Sequence, residues 1–398
     1  MSFITDIVSN YVLESEVSAI KEMSMLSANI EGAVSLAWGL PSFRTPEYIR
    51  DGIKQLLDSD IDAGKYTLPD GLPELRRLAV TEHIKKTGIE VDADENVMIS
   101  AGNMQALNTL FHTMLDPGDE IILTDPCFAS HIQQITLFDG KPVYWPLDES
   151  NNWALDIERL PALITDKTQA IVIVSPSNPT GKIFSREELL RVGEIARQHD
   201  ILIIIDDPYS DFVYDNRDKY FNLASVEALK EHIVYLYSFS KSYAMTGWRV
   251  GYTAAPKTII DEMEKLMEHM VSGVTAVAQR AALAAITASQ DCVKEMVTIY
   301  DKRRHLVHEG LNAIEGIDCL KPESTFYAFP NISSFGLSSW DFAKYLAKEH
   351  KVAVVPGSIF GKAGEGYVRL SFAASSEQLR EGIARIEKGA AAIRARKG

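Results

Sequence analysis

The chain is poor in cysteine: Cys127, Cys292 and Cys319 are the only three in 398 residues, widely spaced and with no CxxC pair. An odd, scattered set does not suggest a disulfide framework or a zinc site, and it fits a reducing compartment, so the cytoplasm is expected. Long apolar runs are also missing. Stretches such as residues 201–205 fall far below the roughly 20 residues that a bilayer span requires, so no membrane segment is expected. Positive charge is scarce, with 40 Lys and Arg against 55 Asp and Glu and a formal charge of −15. That balance argues against nucleic acid or an anionic membrane as partner. The first twenty residues hold Asp6, Glu14 and Glu16 but no Lys or Arg, so the basic segment of a secretory signal is lacking and no export is expected.

What is present is a series of short, β-branched runs at 97–100, 120–124, 142–145, 170–175, 201–205, 233–237 and 249–253. Several are apolar at consecutive positions, as strands covered on both faces by helices are. Segments of helical period lie between them, one opening with the capping box Ser185-x-x-Glu188. This predicts an α/β fold whose large domain, 46–285, holds a mostly parallel seven-stranded sheet between helices. Beyond it come long helices near 260–270 and 291–311. A strand at 325–329, a helix at 338–350, strands at 352–355 and 367–372 and a helix capped at Ser375-x-x-Gln378 then predict a smaller α+β domain. That domain is expected to comprise 286–398 together with 1–45, which includes an N-terminal arm. The Ala-rich basic end, 389–398, reads as a fraying helix.

Ligands bind open parallel sheets beyond the carboxyl ends of the strands. Asn178 follows the fourth run, Asp206 ends the fifth with Tyr209 three residues on, and Ser238, Ser240 and Lys241 end the sixth. Singly these are ordinary: Asp206 would be a cap carboxylate, and Asn178-Pro179-Thr180-Gly181 a β-turn. Jointly they place an amine, a carboxylate and hydroxyls at one crevice. The run Ser238-Phe239-Ser240-Lys241 through Arg249 sets hydroxyls and a guanidinium around a lysine, the pattern needed to anchor a phosphate while the amine forms a Schiff base. It predicts pyridoxal 5′-phosphate. A second phosphate signal is the turn Gly102-Asn103-Met104, which opens a helix with its backbone N–H groups forward.

The chain resembles the class I/II pyridoxal phosphate-dependent aminotransferases of fold type I, the aspartate aminotransferase superfamily. The matching segments run from Ala37-Trp38-Gly39-Leu40-Pro41 and Tyr66-Thr67-Leu68-Pro69-Asp70-Gly71, through the Asn178 turn, Asp206-Asp207-Pro208-Tyr209 and the lysine run, to Tyr367-Val368-Arg369-Leu370-Ser371-Phe372. The resemblance implies transfer of an amino group from an L-amino acid to a 2-oxo acid, with 2-oxoglutarate as the expected acceptor. It makes Lys241 the internal aldimine and proton carrier, Asp206 the partner of the ring nitrogen, and Asn178 and Tyr209 donors to the ring oxygen. Phe128 would stack on the ring, and Ser238, Ser240, Arg249 and the Gly102-Asn103-Met104 turn would hold the phosphate. Tyr66 would reach that phosphate from a neighbouring subunit, which implies a homodimer with shared active sites. Arg369 would clamp the substrate α-carboxylate beside the Gly39 backbone. One departure stands out: Met104 occupies the place of a Lys thought to meet the distal carboxylate in the acidic-substrate branch, which puts aspartate preference in doubt.

Two other functions use the same residues. A β-lyase on this fold would expel a leaving group from Cβ, and a non-catalytic sensor would bind the cofactor without turnover. No metal is expected: His305 and His308 sit three apart in a basic helix without a further spaced ligand. The glycine-rich 361–366 segment lacks the GxGxxG spacing and reads as a loop.

Overall fold

The computed structural model describes residues 7–8, 12–13 and 19–396. Parts of the expected N-terminal arm, residues 1–6, 9–11 and 14–18, lie outside the described residues, as do the last two of the basic tail. From the amino end, strand β1 (Val34–Ser35) belongs to a minor sheet. The seven apolar runs then become β2 (Val97–Ser100), β3 (Glu120–Asp125), β4 (Lys141–Asp148), β6 (Thr168–Ile173), β7 (Leu202–Asp207), β8 (Ile233–Ser238) and β9 (Gly251–Ala254). An eighth, β5 (Ala154–Leu155), joins the same sheet, so the expected seven strands are corrected to eight. Two residues are too few to show a period in sequence, and β5 exists only because Leu147 and Asp148 of β4 pair with it across the edge.

The strand order is β2-β9-β8-β7-β6-β3-β4-β5. Pairing is parallel from β8 through β7, β6 and β3 to β4, whereas β9 runs antiparallel to both β2 and β8. In β7, Ile203, Ile204 and Ile205 are all buried although they point alternately to opposite faces. Helices therefore cover both sides, as in Arg186–Gln198, whose capping box joins Ser185 and Glu188 as expected. Burying each such isoleucine stabilises the layer by about 1.5–3 kcal/mol. At the carboxyl edge the apolar runs give way to buried Asp206, Asp207 and Ser238.

The long helices Lys257–Val271 and Asp291–Asn312 follow. A three-stranded sheet is then built from β10 (Tyr327–Ala328), β12 (Val355–Pro356) and β13 (Val368–Ser371), in the order β10-β13-β12. The expected strand at 352–355 is in fact two: β11 (Val352–Ala353) pairs in parallel with β1, and β12 pairs antiparallel with β13. The Leu36 carbonyl receives the Ser371 N–H at 2.8 Å. Residues 34–37 are thereby fastened against the strand that carries Arg369. The final helix, Ser376–Ala395, has the expected Ser375/Gln378 box and does not fray from 389 on: Ala390 and Ile393 are buried. Among the described residues, no helix is long and apolar enough to cross a membrane.

Candidate active site

One cavity opens at the carboxyl ends of β6, β7 and β8, and the sheet, the smaller sheet and the 38–40 segment all contribute walls. Lys241 sits in the short helix Phe239–Ser242 that directly follows β8, capped by the Ser238 hydroxyl, which accepts from Ser240 N at 3.2 Å. Its Nζ donates to the Gly39 carbonyl at 2.7 Å. Desolvation, then the charges of Arg369 and Arg249, pull its pKa from 10.5 down to about 7. An amine in that range is half neutral near neutral pH and able both to attack a carbonyl and to accept a proton.

Across the cavity, Asp206 ends β7 and is 5% exposed. Its carboxylate accepts from Asn103 Nδ2 at 2.6 Å on one oxygen and lies 3.0 Å from His131 Nε2 on the other. His131 is fully buried. Local sequence gave no sign of it: a single histidine in the helix Ala129–Thr136 meets Asp206 only through packing across 75 residues of chain. Asn103 was expected to serve by its backbone, and its side chain is found holding Asp206 as well.

A third group gathers around Arg249. Arg249 donates through Nη1 to the Ser240 hydroxyl at 3.3 Å and the Thr246 carbonyl at 2.9 Å, and through Nη2 to the Ala101 carbonyl at 3.0 Å. Among the described residues it makes no ion pair. Its guanidinium faces the start of the helix Asn103–Met114, whose N-cap is Gly102 with no side-chain cap bond. Gly102 has φ 74°, and an added Cβ would stand 2.5 Å from Arg249 Nη2. Glycine here keeps open the space between a cation and uncapped amides, the arrangement a phosphate fills.

Arg369, on β13, is 1% exposed yet has no acidic partner among the described residues. Nη1 donates to Asn178 Oδ1 at 3.0 Å and Nη2 to the Ala37 carbonyl at 2.9 Å, while Nε finds no acceptor. The guanidinium stacks 4.4 Å from the Tyr327 ring centre, and burial lowers its pKa. A buried cation with an orphaned donor is costly unless an anion arrives. Tyr327 lies within the strand expected at 325–329, but its role was missed in sequence because nothing local marks its partner; it meets Tyr209 hydroxyl to hydroxyl at 3.1 Å. Burial, then the neighbouring phenol, pushes Tyr209 well above its ordinary value, so it is a neutral donor at working pH. Gly39 packs so closely under Tyr327 that a Cβ would run into that hydroxyl.

Phe128, Met104 and Ser238 line the same cavity, with Trp38, Leu40 and Leu107 completing an apolar side. The cavity thus brings together all the residues singled out in sequence except two. Gly102 lies just behind Arg249, and Tyr66 is 89% exposed, outside the cavity of its own chain.

The profile of the family described as Aminotransferase class I and II matches residues 31–386. An aspartate aminotransferase of Pyrococcus abyssi is 39% identical over 374 residues, 93% of this chain and 95% of the relative. Aromatic-amino-acid aminotransferase 2 of Thermococcus litoralis is 38% identical over 93% of this chain and 95% of its own. Among solved structures, the Thermus thermophilus aspartate aminotransferase with maleate superposes with a TM-score of 0.90 at 32% identity, covering 96% of this chain and 99% of that one.

Proposed function

We propose, since the chain belongs to the class I and II aminotransferases, that it moves an amino group from an L-amino acid to a 2-oxo acid, with 2-oxoglutarate as acceptor, using pyridoxal 5′-phosphate anchored on Lys241. The observation that carries this reading is the fit of three charge demands to one cavity. The phosphate suits Arg249, Ser240 and the uncapped helix start behind Gly102. The ring nitrogen suits the buried Asp206 carboxylate, and the ring oxygen suits the neutral phenol of Tyr209 and the amide nitrogen of Asn178, whose oxygen is held by Arg369. Phe128 offers a ring face, and Lys241 the amine. When bound, the cofactor supplies an aldehyde for the amine and a cationic ring that draws electrons from substrate Cα.

The chain's own residues then divide the remaining work. Arg369 presents its fork to the α-carboxylate and satisfies its unpaired Nε, which orients Cα toward Lys241. Lys241 Nζ, neutral above about pH 7, would take the proton from Cα of the amino donor and, in the reverse half of the cycle, deliver one to Cα of the acceptor. Asp206 stays on the ring side, steadied by Asn103 and His131. The two faces of the site thus hold opposite charges. The exposed Tyr66 supports a homodimer in which it reaches the partner's cavity, and the exposed outer side of Arg249 supports the same arrangement.

Two predictions arise here. Gly102→Ala is expected to weaken cofactor binding by about 10–100-fold, because the Cβ strains a φ of 74° and displaces Arg249 from the phosphate. Equilibrium dialysis of the cofactor checks this, and unchanged affinity would contradict this placing of the phosphate. The second concerns the donor. Three basic side chains line the cavity, Lys241, Arg249 and Arg369, and each already has a task; the free wall is Trp38, Leu40, Met104 and Leu107. Aspartate would have to desolvate a second carboxylate against that wall, whereas the longer 2-oxoglutarate carries its own to the rim, where Trp38 is 44% and Leu40 45% exposed. Aromatic or methionine donors are therefore expected to exceed aspartate in kcat/KM by about tenfold or more. A donor panel with 2-oxoglutarate, followed for glutamate and for ammonia, tests both function and preference. Ammonia without glutamate would replace transamination by β-elimination.

A further inference from the structure

We infer that Asp211, outside the cavity, is a positioning residue: from behind the carboxyl edge of the sheet it ties the turn that carries Tyr209 to the short helix that carries Lys241. The inference rests on the function proposed above, since it matters only if those two groups act together. Asp211 follows Tyr209 by two residues, and Ser242 follows Lys241 by one. Ser242 Oγ donates to Asp211 Oδ2 at 2.6 Å, and the Tyr237 hydroxyl reaches the same oxygen at 3.4 Å. The other oxygen receives Lys86 Nζ at 3.2 Å and, on the outer side, faces Arg217 at 3.7 Å. Lys86 donates in addition to Ser210 Oγ at 3.1 Å and stands 4.7 Å over the Tyr237 ring. Four elements therefore converge on one carboxylate: the helix Pro73–Thr87, strand β8, the Tyr209 turn and the lysine helix.

The bond between Asp211 and Ser242 is charge-assisted. Burial pushes the Asp211 carboxyl up, but Lys86, Ser242 and Arg217 outweigh it, and its pKa ends below the ordinary value. Beneath lies Asp207, fully buried, which accepts from the Tyr235 hydroxyl at 2.6 Å, the Tyr220 hydroxyl at 3.3 Å and Ser210 N at 2.9 Å, so the turn is pinned on two sides. The helix Phe239–Ser242 has only four residues, too few to persist on backbone propensity. It needs outside ties, and the Ser242 hydroxyl, 1% exposed, provides one immediately beside the reactive lysine. Neither Asp211 nor Ser242 lines the cavity.

Ser242→Ala removes the tie without changing charge, Ser242→Thr keeps the hydroxyl, and Asp211→Asn keeps an acceptor but weakens the bond. In cofactor-free protein, the pH dependence of Lys241 acetylation, read by mass spectrometry, reports the amine directly, where Arg369 and Arg249 are the charged neighbours. The Ser242→Ala midpoint is expected to rise by about one pH unit as the loosened amine gains water, Asp211→Asn to rise by less, and the double variant to rise no further than Ser242→Ala. Ser242→Thr should keep the wild-type midpoint. The pH titration of the visible band in cofactor-loaded protein should move in parallel. An unmoved Ser242→Ala midpoint with only the melting temperature lowered would overturn the proposal, as would additive shifts in the double variant. A wild type with no visible band would instead remove the cofactor reading, while acetylation still decides whether Asp211 positions the amine.

Discussion

Lys241→Ala is expected to lower transamination by at least about 10⁴-fold and to abolish the visible absorbance of covalently held cofactor, while the cofactor's phosphate remains bound. On the proposed function two losses coincide in this variant: the covalent anchor and the one lysine amine that, among the described residues, lines the cavity and would move the Cα proton. The Gly39 carbonyl, which holds Nζ at 2.7 Å, is left without its donor, but Ser240, Arg249 and the Gly102 turn are untouched. Cofactor should therefore still be retained by dialysis and show the spectrum of the free aldehyde. A variant that kept the bound-cofactor band would mean that another amine carries it.

The same amine predicts a pH dependence in the wild type. Burial, reinforced by Arg369 and Arg249, places its pKa at about 7, so the nucleophilic neutral form grows as pH rises through 7 and is nearly complete by about pH 8. Covalent capture of added cofactor by cofactor-free protein should accelerate from pH 6 to 8 and then level off. A lysine at its ordinary value of 10.5 would instead gain about tenfold per pH unit up to pH 9 and beyond. Stopped-flow traces of the visible band across that range separate the two, and a rise that continues past pH 9 would sink the assignment.

Residues whose position depends on a strand's end were legible in sequence. Asp206, Ser238 and Asn178 stand where apolar runs stop, and parallel strands buried on both faces must put their polar neighbours at one edge. Arg369 and Phe128 were reached through resemblance, not through periodicity. What stayed hidden was long-range pairing: His131 against Asp206, Tyr327 against Tyr209, Ser242 against Asp211. None of these has a local signature, since a lone histidine on a helix or a serine after a lysine is compatible with plain packing. Arg249 illustrates the limit further. Its φ of 53° is unusual for a residue with a side chain, and no pattern around Thr246-Gly247-Trp248 announces that the backbone turns left-handed there to aim the guanidinium at the Gly102 turn. Strand β5 and the split between β11 and β12 were hidden because two-residue strands carry no period.

Arg369→Lys should reduce kcat/KM by about 10–100-fold through KM, and Arg369→Met by about 10³–10⁴-fold, with cofactor affinity unchanged in both. The difference follows from counting bonds: the guanidinium fork offers a carboxylate two charge-assisted donors, each contributing about 1.5–3 kcal/mol, whereas an ammonium supplies one and methionine none. Arg369 also spends Nη1 on Asn178 and Nη2 on the Ala37 carbonyl, which leaves Nε without an acceptor and the fork already oriented. Methionine would orphan both acceptors, so Arg369→Lys is the informative variant for binding. Arg369→Met is informative for another reason. After burial, Arg369 is the largest cause of the lowered Lys241 pKa, so deleting its charge should move the midpoint of cofactor capture upward from about 7, while Arg369→Lys leaves it near the wild-type value. Binding loss without that upward movement would mean that the two cations do not sense each other. The α-carboxylate would then have no electrostatic route to the amine: its arrival could not neutralise Arg369 and raise the proton affinity of Lys241 at the moment a base is required.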